Sequence, residues 1–247
     1  MRIALVGYGK MGKEIERLAL ERGWCVDLRI DIDTPPVTPA QRTNIDVVIH
    51  YANASTIIDD LTPWIEAHKS IVVGTTGWHE NLSKIEALVK KNDIGLIYGS
   101  NFSLGVNIFF HLIQTAAQMM DRFADYDAFI QEIHHNNKID SPSGTALTMG
   151  QIILKNIARK KELLSETSHG KIRPEQLHIS STRSGSVVGT HTLVFDSLAD
   201  SIELKHTAKS RIGLTLGALL AAEWIIGKKG IFTMDDVFQD LLKNGGQ

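Results

Sequence analysis

Residues 132 to 146 read Glu-Ile-His-His-Asn-Asn-Lys-Ile-Asp-Ser-Pro-Ser-Gly-Thr-Ala. His134, His135 and Lys138 place two imidazoles and an ammonium in one short segment. An acceptor that takes up a hydride gains negative charge and then needs a proton. Histidine titrates near neutrality, and lysine adds a fixed cation with protons of its own. Adjacent side chains of a strand point to opposite faces, so both histidines serve one site only if the strand ends or bends there. Asn136 and Asn137 favour such a turn. Ser141 then reads as a helix N-cap with Pro142 as the first helical residue. On that reading the N–H groups of Ser143, Gly144 and Thr145 are free to bind an anion such as a carboxylate, with Lys138 beside them. A metal centre is not expected, because neighbouring histidines suit one ion poorly and no carboxylate or thiol stands at the usual ligand spacing. The bland alternative is a pair of surface histidines beside a capped helix.

Other polar residues are less telling. Arg183, His191, His206 and Arg211 could orient a second carboxylate or line a subunit contact. His191 and His206 lie in strand-like segments and read more simply as satisfied structural histidines.

A second constellation opens the chain. Gly7, Gly9 and Gly12 form G-x-G-x-x-G between a terminal strand and a helix, which is the context that gives this pattern meaning. The first glycine permits a tight turn, the second lets a pyrophosphate approach, and the third lets helix and strand pack closely. The turn as a whole, with Tyr8, Lys10 and Met11, is the expected phosphate cradle of NADH or NADPH. Asp31 follows the second strand, where a carboxylate can bind ribose hydroxyls and repel a 2′-phosphate. Asp33 is the second candidate. Arg29 shares the Asp31 face only if the strand reaches that far. This tilts the reading toward NADH. Gly74, Thr75 and Thr76 end the fourth strand, and Gly99, Ser100, Asn101 and Phe102 end the fifth. Ligands of open α/β sheets sit outside the carboxyl ends of the strands, so both loops are placed to contact ribose and nicotinamide.

The elements that hold these residues alternate in type. Strands are expected at 2–6, 24–30, 46–52, 70–78 (a strand with its loop) and 94–101, with helices after the glycine turn, around 56–66 and at 81–92. Alternation with short connections argues a doubly wound parallel sheet. After residue 101 the pattern changes to a long apolar helix at 106–123, a strand at 126–135, a helix at 146–160, and three successive strands from 177, with turns at Gly185 and at Ala199-Asp200. That argues an α+β unit with an antiparallel or mixed sheet. The apolar run from 211 reads as a helix that returns to the first unit. The predicted fold class is therefore α/β, a Rossmann-like N-terminal sheet plus a C-terminal α+β domain. Residues 1–101 with 213–247 form the dinucleotide-binding domain and 102–212 the substrate-binding and oligomerisation domain.

Bulk properties set the frame. The 247 residues suit one large or two small domains, with 43% hydrophobic and 22% charged residues, ordinary for a soluble globular chain. A formal net charge of −2 gives no reason to expect nucleic acid or an anionic membrane as partner. Cys25 is the one cysteine, so no intrachain disulfide can form; it stands in an apolar run and reads as a buried, inert thiol. The N-terminal apolar stretch is too short for a signal peptide, and the run at 214–226 is too short to span a bilayer. A cytoplasmic location is expected.

Together these strings resemble the 4-hydroxy-tetrahydrodipicolinate reductase (dihydrodipicolinate reductase) family of diaminopimelate and lysine biosynthesis. The resemblance rests on VGYGKMG, VVGTTGW, the Asn-Phe-Ser-x-Gly-Val-Asn run at 101–107, the 132–146 segment, RSGSVVGTHTLVFDS and AAEWI. It implies a homotetramer, NAD(P)H as hydride donor and a cyclic dicarboxylate imine as substrate, with the hydride going to ring carbon C4. It places the catalytic residues at His134 and Lys138 and the substrate contacts at His135, Ser143, Gly144 and Thr145. Two departures stand out. The third strand runs into His50-Tyr51-Ala52 where the family usually has Asp-Phe-Ser/Thr, and no Glu-Arg pair follows the second strand. A dehydrogenase for another amino-acid precursor and a cofactor-sensing module without catalysis remain the alternatives.

Overall fold

The computed structural model describes residues 1–244. The chain forms two compact units, Met1–Asn107 together with the chain from Ile212 onward, and Ile108–Arg211.

The first unit runs β1 (Arg2–Val6), α1 (Lys10–Glu21), β2 (Cys25–Ile30), α2 (Pro39–Thr43), β3 (Val47–His50), α3 (Ile57–Glu66), β4 (Ser70–Val73), α4 (Leu82–Asn92) and β5 (Gly95–Tyr98). α5 (Leu104–Met120) starts in this unit and continues into the second. The second unit continues with β6 (Asp127–His134), α6 (Gly144–Asn156), β7 (Glu162–Leu164), β8 (Gln176–Arg183), β9 (Gly189–Asp196) and β10 (Ser201–Ala208). α7 (Ile212–Trp224), β11 (Gly230–Phe232) and α8 (Met234–Asn244) belong to the first unit.

Six parallel strands in the order β11-β5-β4-β3-β1-β2 make the first sheet. Side chains alternate across it, as strand geometry requires. Ile3, Leu5, Val47 and Ile49 pack on one face with Ile15 of α1 and Ala218, Leu219 and Ala222 of α7. Ala4, Val6, Val48 and Ile71 pack on the other with Leu61 and Trp64 of α3 and Ile85 of α4. Both faces are covered, which is why these strands read as unbroken apolar runs. β11 and α8 were not resolved by the sequence pattern. β11 has only three residues, too few to show a period, and it completes the sheet by parallel pairing with β5. The proline-rich connection also contains a short helix, α2, closed by a capping box between Thr38 and Gln41.

The second sheet is mixed, in the order β10-β9-β6-β8-β7. The three late strands do not form a simple meander. β6 lies between β8, with which it is parallel, and β9, with which it is antiparallel. The β8–β9 link therefore wraps round the end of β6: Ser184 N–H donates to His134 O (2.8 Å) and Asn136 N–H to Gly185 O (3.3 Å). Gly185 has φ +53°, which suits the turn. One expectation is corrected at the surface: Cys25, first residue of an outer strand, is exposed rather than buried.

Candidate active site

In the first unit the glycine turn has the shape its spacing implies. Gly7 sits at φ +91°, and a Cβ there would collide with the carbonyl of Tyr51. A Cβ on Gly12 would collide with Gly7 O. A Cβ on Gly9 would meet nothing within 4 Å. The outer two glycines are thus demanded by the fold, and the middle one faces open space. Gly9 is also the N-cap of α1 and supplies no side-chain cap, so the first N–H groups of the helix, among them those of Lys10 and Met11, are left for a ligand. These residues fit a dinucleotide's pyrophosphate.

The remaining predicted residues of this unit gather at the same edge of the sheet. Tyr8 hydrogen-bonds Glu16, which also pairs with Arg29. Arg29 is therefore committed within the protein. Asp31 directly follows β2; its carboxylate accepts the N–H of Ile32 (3.0 Å), and Ile32 is 95% exposed. Asp33 is exposed nearby in sequence. Gly74 would strike the Tyr51 ring if it carried a Cβ. Thr75 is buried, Thr76 and Ser100 are exposed, and Gly99 donates to Val73 O (3.1 Å). Asn101 accepts from Ser103 N–H (2.9 Å) near the start of α5. Phe102 is a core residue, so a ligand at this edge meets its backbone and not its ring.

The second unit builds its site from side chains. On β6 the buried register runs Ala128, Ile130, Glu132, His134, so a carboxylate and an imidazole continue an apolar row. The neighbouring strands place His191 and Ser181 directly opposite Glu132, and Arg183 opposite His134. Glu132 Oε1 accepts from Ser143 N–H (3.0 Å), Ser181 Oγ (2.8 Å) and Arg183 Nη2 (2.8 Å). Glu132 Oε2 lies 3.5 Å from His134 Nδ1 and 3.6 Å from His191 Nε2. The two rings meet edge to face at 5.0 Å between centroids. Gly189 makes room for this, since a Cβ there would press on His134 Nε2.

Burial opposes a charge on Glu132, but His191 beside it and the donors Ser143, Arg183 and Ser181 win and hold the carboxyl far below its usual range. His134 goes the other way from an ordinary histidine. Burial, aided by His191, Lys138 and Arg183 and opposed by Glu132, lowers it to about 4, so the ring is neutral at neutral pH.

β6 ends at His134 and a turn follows, with Lys138 N–H on His135 O (3.1 Å). Lys138 Nζ pairs with both carboxylate oxygens of Asp140, at 2.7 and 2.9 Å. The helix start is corrected. Ser143, not Ser141, is the N-cap of α6, its hydroxyl accepting from Ala146 N–H (3.2 Å). Ser143 N–H is already bound to Glu132, so Gly144 and Thr145 carry the open N–H groups of the first turn. Ser143 Oγ also meets His191 Nε2 at 3.1 Å.

Sequence reasoning missed Glu132 and, of two readings of His191, favoured the structural one over a role in orienting a carboxylate. The reading that no carboxylate stands at a ligand spacing to the histidines is also corrected, since Glu132, His134 and His191 bring ligand atoms within 4.8 Å of one another. The cation already on Glu132 is the guanidinium of Arg183. His206 is not among these residues; its ring packs beside Phe109 at 5.7 Å.

A glycine turn that fits a dinucleotide's pyrophosphate in one unit and a buried acid–imidazole–guanidinium cluster in the other fit a nicotinamide-dependent oxidoreductase. Comparison with known proteins narrows this. Family models for the dihydrodipicolinate reductase N-terminus and C-terminus match residues 1–102 and 105–238. A 4-hydroxy-tetrahydrodipicolinate reductase of Christiangramia forsetii is 42% identical over 245 residues, covering 99% of this chain and 100% of the relative. That of Neisseria gonorrhoeae is 34% identical over 227 residues, 90% and 83% of the two chains. The solved dipicolinate-bound dihydrodipicolinate reductase of Paenisporosarcina sp. TG-14 shares the fold, with TM-score 0.77, 21% identity and coverage of 94% and 97%. The chain belongs to the dihydrodipicolinate reductase family.

Proposed function

We propose that this chain reduces 4-hydroxy-tetrahydrodipicolinate to tetrahydrodipicolinate, with a hydride and a proton entering and water leaving. The first unit holds the cofactor, through the turn at 7–12, Asp31 and the loops after β4 and β5. NAD(P)H supplies the hydride to ring carbon C4, the carbon that loses hydroxide. The second unit holds the dicarboxylate, through the open N–H groups of Gly144 and Thr145, the Ser143 region, His135 and Lys138. The observation that carries this reading is the buried Glu132–His134–His191–Arg183 cluster beside the start of α6.

Water leaves as the C4 hydroxyl with a hydrogen of the neighbouring carbon, and once hydride has added at C4 a proton returns to that carbon from His134 or Lys138. In the protein alone His134 is neutral, while Lys138 balances Asp140. A bound dicarboxylate adds negative charge and favours the imidazolium, so substrate itself raises His134 toward the working pH. It also competes with Asp140 for the Lys138 ammonium. Glu132 keeps the cluster aligned and stays ionised throughout.

NADH is the favoured donor. Asp31 repels a 2′-phosphate, the next residue is the apolar Ile32, and Arg29 is tied to Glu16. A cytoplasmic homotetramer belongs to the same reading; among the described residues no helix is long and apolar enough to cross a membrane. The test is loss of reduced-nicotinamide absorbance with freshly made cyclic imine, run with NADH and NADPH in parallel. Turnover with the imine, faster with NADH at low cofactor, is expected. Turnover only with a semialdehyde, or tight NADH binding without turnover, would contradict the proposal.

A further inference from the structure

We infer that His50 is a positioning residue for the dinucleotide, locking the turns after β1, β3 and β4 into one register. The inference rests on reading those turns as the cofactor cradle.

His50 ends β3 and is 0% exposed, the one polar side chain of a strand otherwise made of Val and Ile. Both ring nitrogens have partners. Nδ1 lies 2.8 Å from Thr75 Oγ1, and Nε2 lies 3.1 Å from Asp60 Oδ2. A carboxylate only accepts, so the neutral ring carries its proton on Nε2 and accepts the Thr75 hydroxyl proton at Nδ1. The Thr75 oxygen then has a lone pair for the N–H of Ala52, at 3.1 Å. At the other end Thr56 Oγ1 donates to the same Asp60 oxygen, at 2.8 Å. The Thr75 hydroxyl also lies 3.4 Å from Ala52 O and 3.5 Å from His50 O, but the shortest contacts run one way, from Ala52 through Thr75 and His50 to Asp60. One tautomer satisfies the whole chain, and Asp60 selects it.

This relay acts where the turns touch. Gly74 has no room for a Cβ against the Tyr51 ring, nor Gly7 against the Tyr51 carbonyl. The turns after β1, β3 and β4 are thus stacked in direct contact. Tyr51 N–H donates to Val6 O (2.7 Å) and Gly74 N–H to His50 O (2.9 Å). Trp78 Nε1 holds Thr75 O at 2.9 Å. His50 is the side chain that fixes Thr75 from below, and Thr75 clamps the β3 turn to the β4 turn. Its orienting carboxylate, Asp60, also lines a cavity of about 270 Å³ with Val6, Ile30, Arg42 and Trp64, at the same end of the sheet. A shift at His50 therefore reaches both the phosphate turn and the Gly74–Thr75–Thr76 loop without altering a residue that touches the ligand.

The test uses the full-length protein and four variants. His50→Asn keeps an acceptor near the Nδ1 position; His50→Gln reaches toward Asp60 and gives up Thr75. Thr75→Ser keeps the hydroxyl, and Thr75→Val removes it. NADH affinity, measured by calorimetry, is expected to fall roughly tenfold in His50→Gln and Thr75→Val, the scale of one buried hydrogen bond left unmade. His50→Asn and Thr75→Ser should recover most of it. KM for NADH should rise in step while kcat changes less. Without cofactor, the Ala52 amide should exchange faster in the two disrupting variants. If His50→Gln does not fold, Asp60→Asn, which replaces the carboxylate that orients His50 and touches no turn residue, makes the same comparison against the wild type. Variants that lose thermal stability but bind NADH like the wild type would overturn the inference and leave the cradle reading intact. Wild-type protein that binds neither NADH nor NADPH would overturn the cradle reading and this inference with it.

Discussion

On the function proposed, the turn at 7–12 and the cluster around Glu132 would receive charge in opposite ways. At the turn the backbone is the binding surface, and side chains matter by being absent: Gly7 and Gly12 have no space for a Cβ, while Gly9 leaves a gap that faces outward. Around Glu132 the side chains are the surface. One oxygen of a buried carboxylate takes three donors, and the other is flanked by two imidazoles. A backbone cradle offers fixed dipoles that do not titrate, which suits a cofactor that must bind across a range of pH. A cluster of ionisable groups can change its protonation when a charged ligand arrives, which suits the step that needs a proton.

The strongest way to break this contrast is in the cluster. His134→Gln should lower turnover by roughly 10²–10⁴-fold, the range for loss of a general acid–base group. NADH affinity should stay near wild type, and stopped-flow kinetics with a binding titration will separate the two. Lys138→Ala should impair both imine binding and rate.

Removing the centre of the cluster is a stability experiment. Glu132→Ala leaves Arg183 without its buried partner, and unfolding by denaturant should show a loss of about 3–5 kcal/mol.

The glycines sharpen the comparison from the other side. Gly7→Ala should destabilise the fold, because it adds both a collision and a side chain at positive φ. Gly9→Ala should leave thermal stability unchanged yet weaken NADH roughly tenfold, since the added methyl occupies space meant for the pyrophosphate. Equal effects of the two substitutions on stability would refute the distinction drawn between them.

The smallest expected effect is in pH dependence. The fold lowers His134 from its ordinary 6.5 to about 4. Between those values the unfolded chain takes up a proton that the folded chain refuses, so stability falls as pH drops from 6.5 toward 4. Above that window this group contributes no slope. Glu132 is lowered, so it adds a further loss as pH falls below its ordinary 4.5. Thermal melts of His134→Gln should show a flatter limb in the upper window and an unchanged one below it.

The same contrast explains what could be read from the sequence. The glycine turn was legible because its logic is local: three glycines, a strand before and a helix after. The fold class was legible for a similar reason, the alternation of short apolar strands with helices. Glu132 was not, because its partners Ser181 and Arg183 stand 49 and 51 residues away and meet it only through the register of β6 with β8. A signal was present in β6, where strict alternation puts Glu132 and His134 on the face of Ile130. A carboxylate in a buried row demands partners. The cap at Ser143 was misplaced by two residues because serines flank Pro142 on both sides, and the choice is made by Glu132 holding the Ser143 N–H. β7 and β11, three residues each, exist only by pairing with longer strands and leave no periodic trace.

Division of labour between the two units is tested most directly by paired titration calorimetry. NADH is titrated into the free protein, and dipicolinate, as a stable dicarboxylate, into protein saturated with NADH. Gly9→Ala should weaken NADH and leave dipicolinate unchanged; Lys138→Ala should weaken dipicolinate and leave NADH unchanged. Lys138→Ala binding dipicolinate as tightly as the wild type, or either variant losing both ligands in equal measure, would contradict the account.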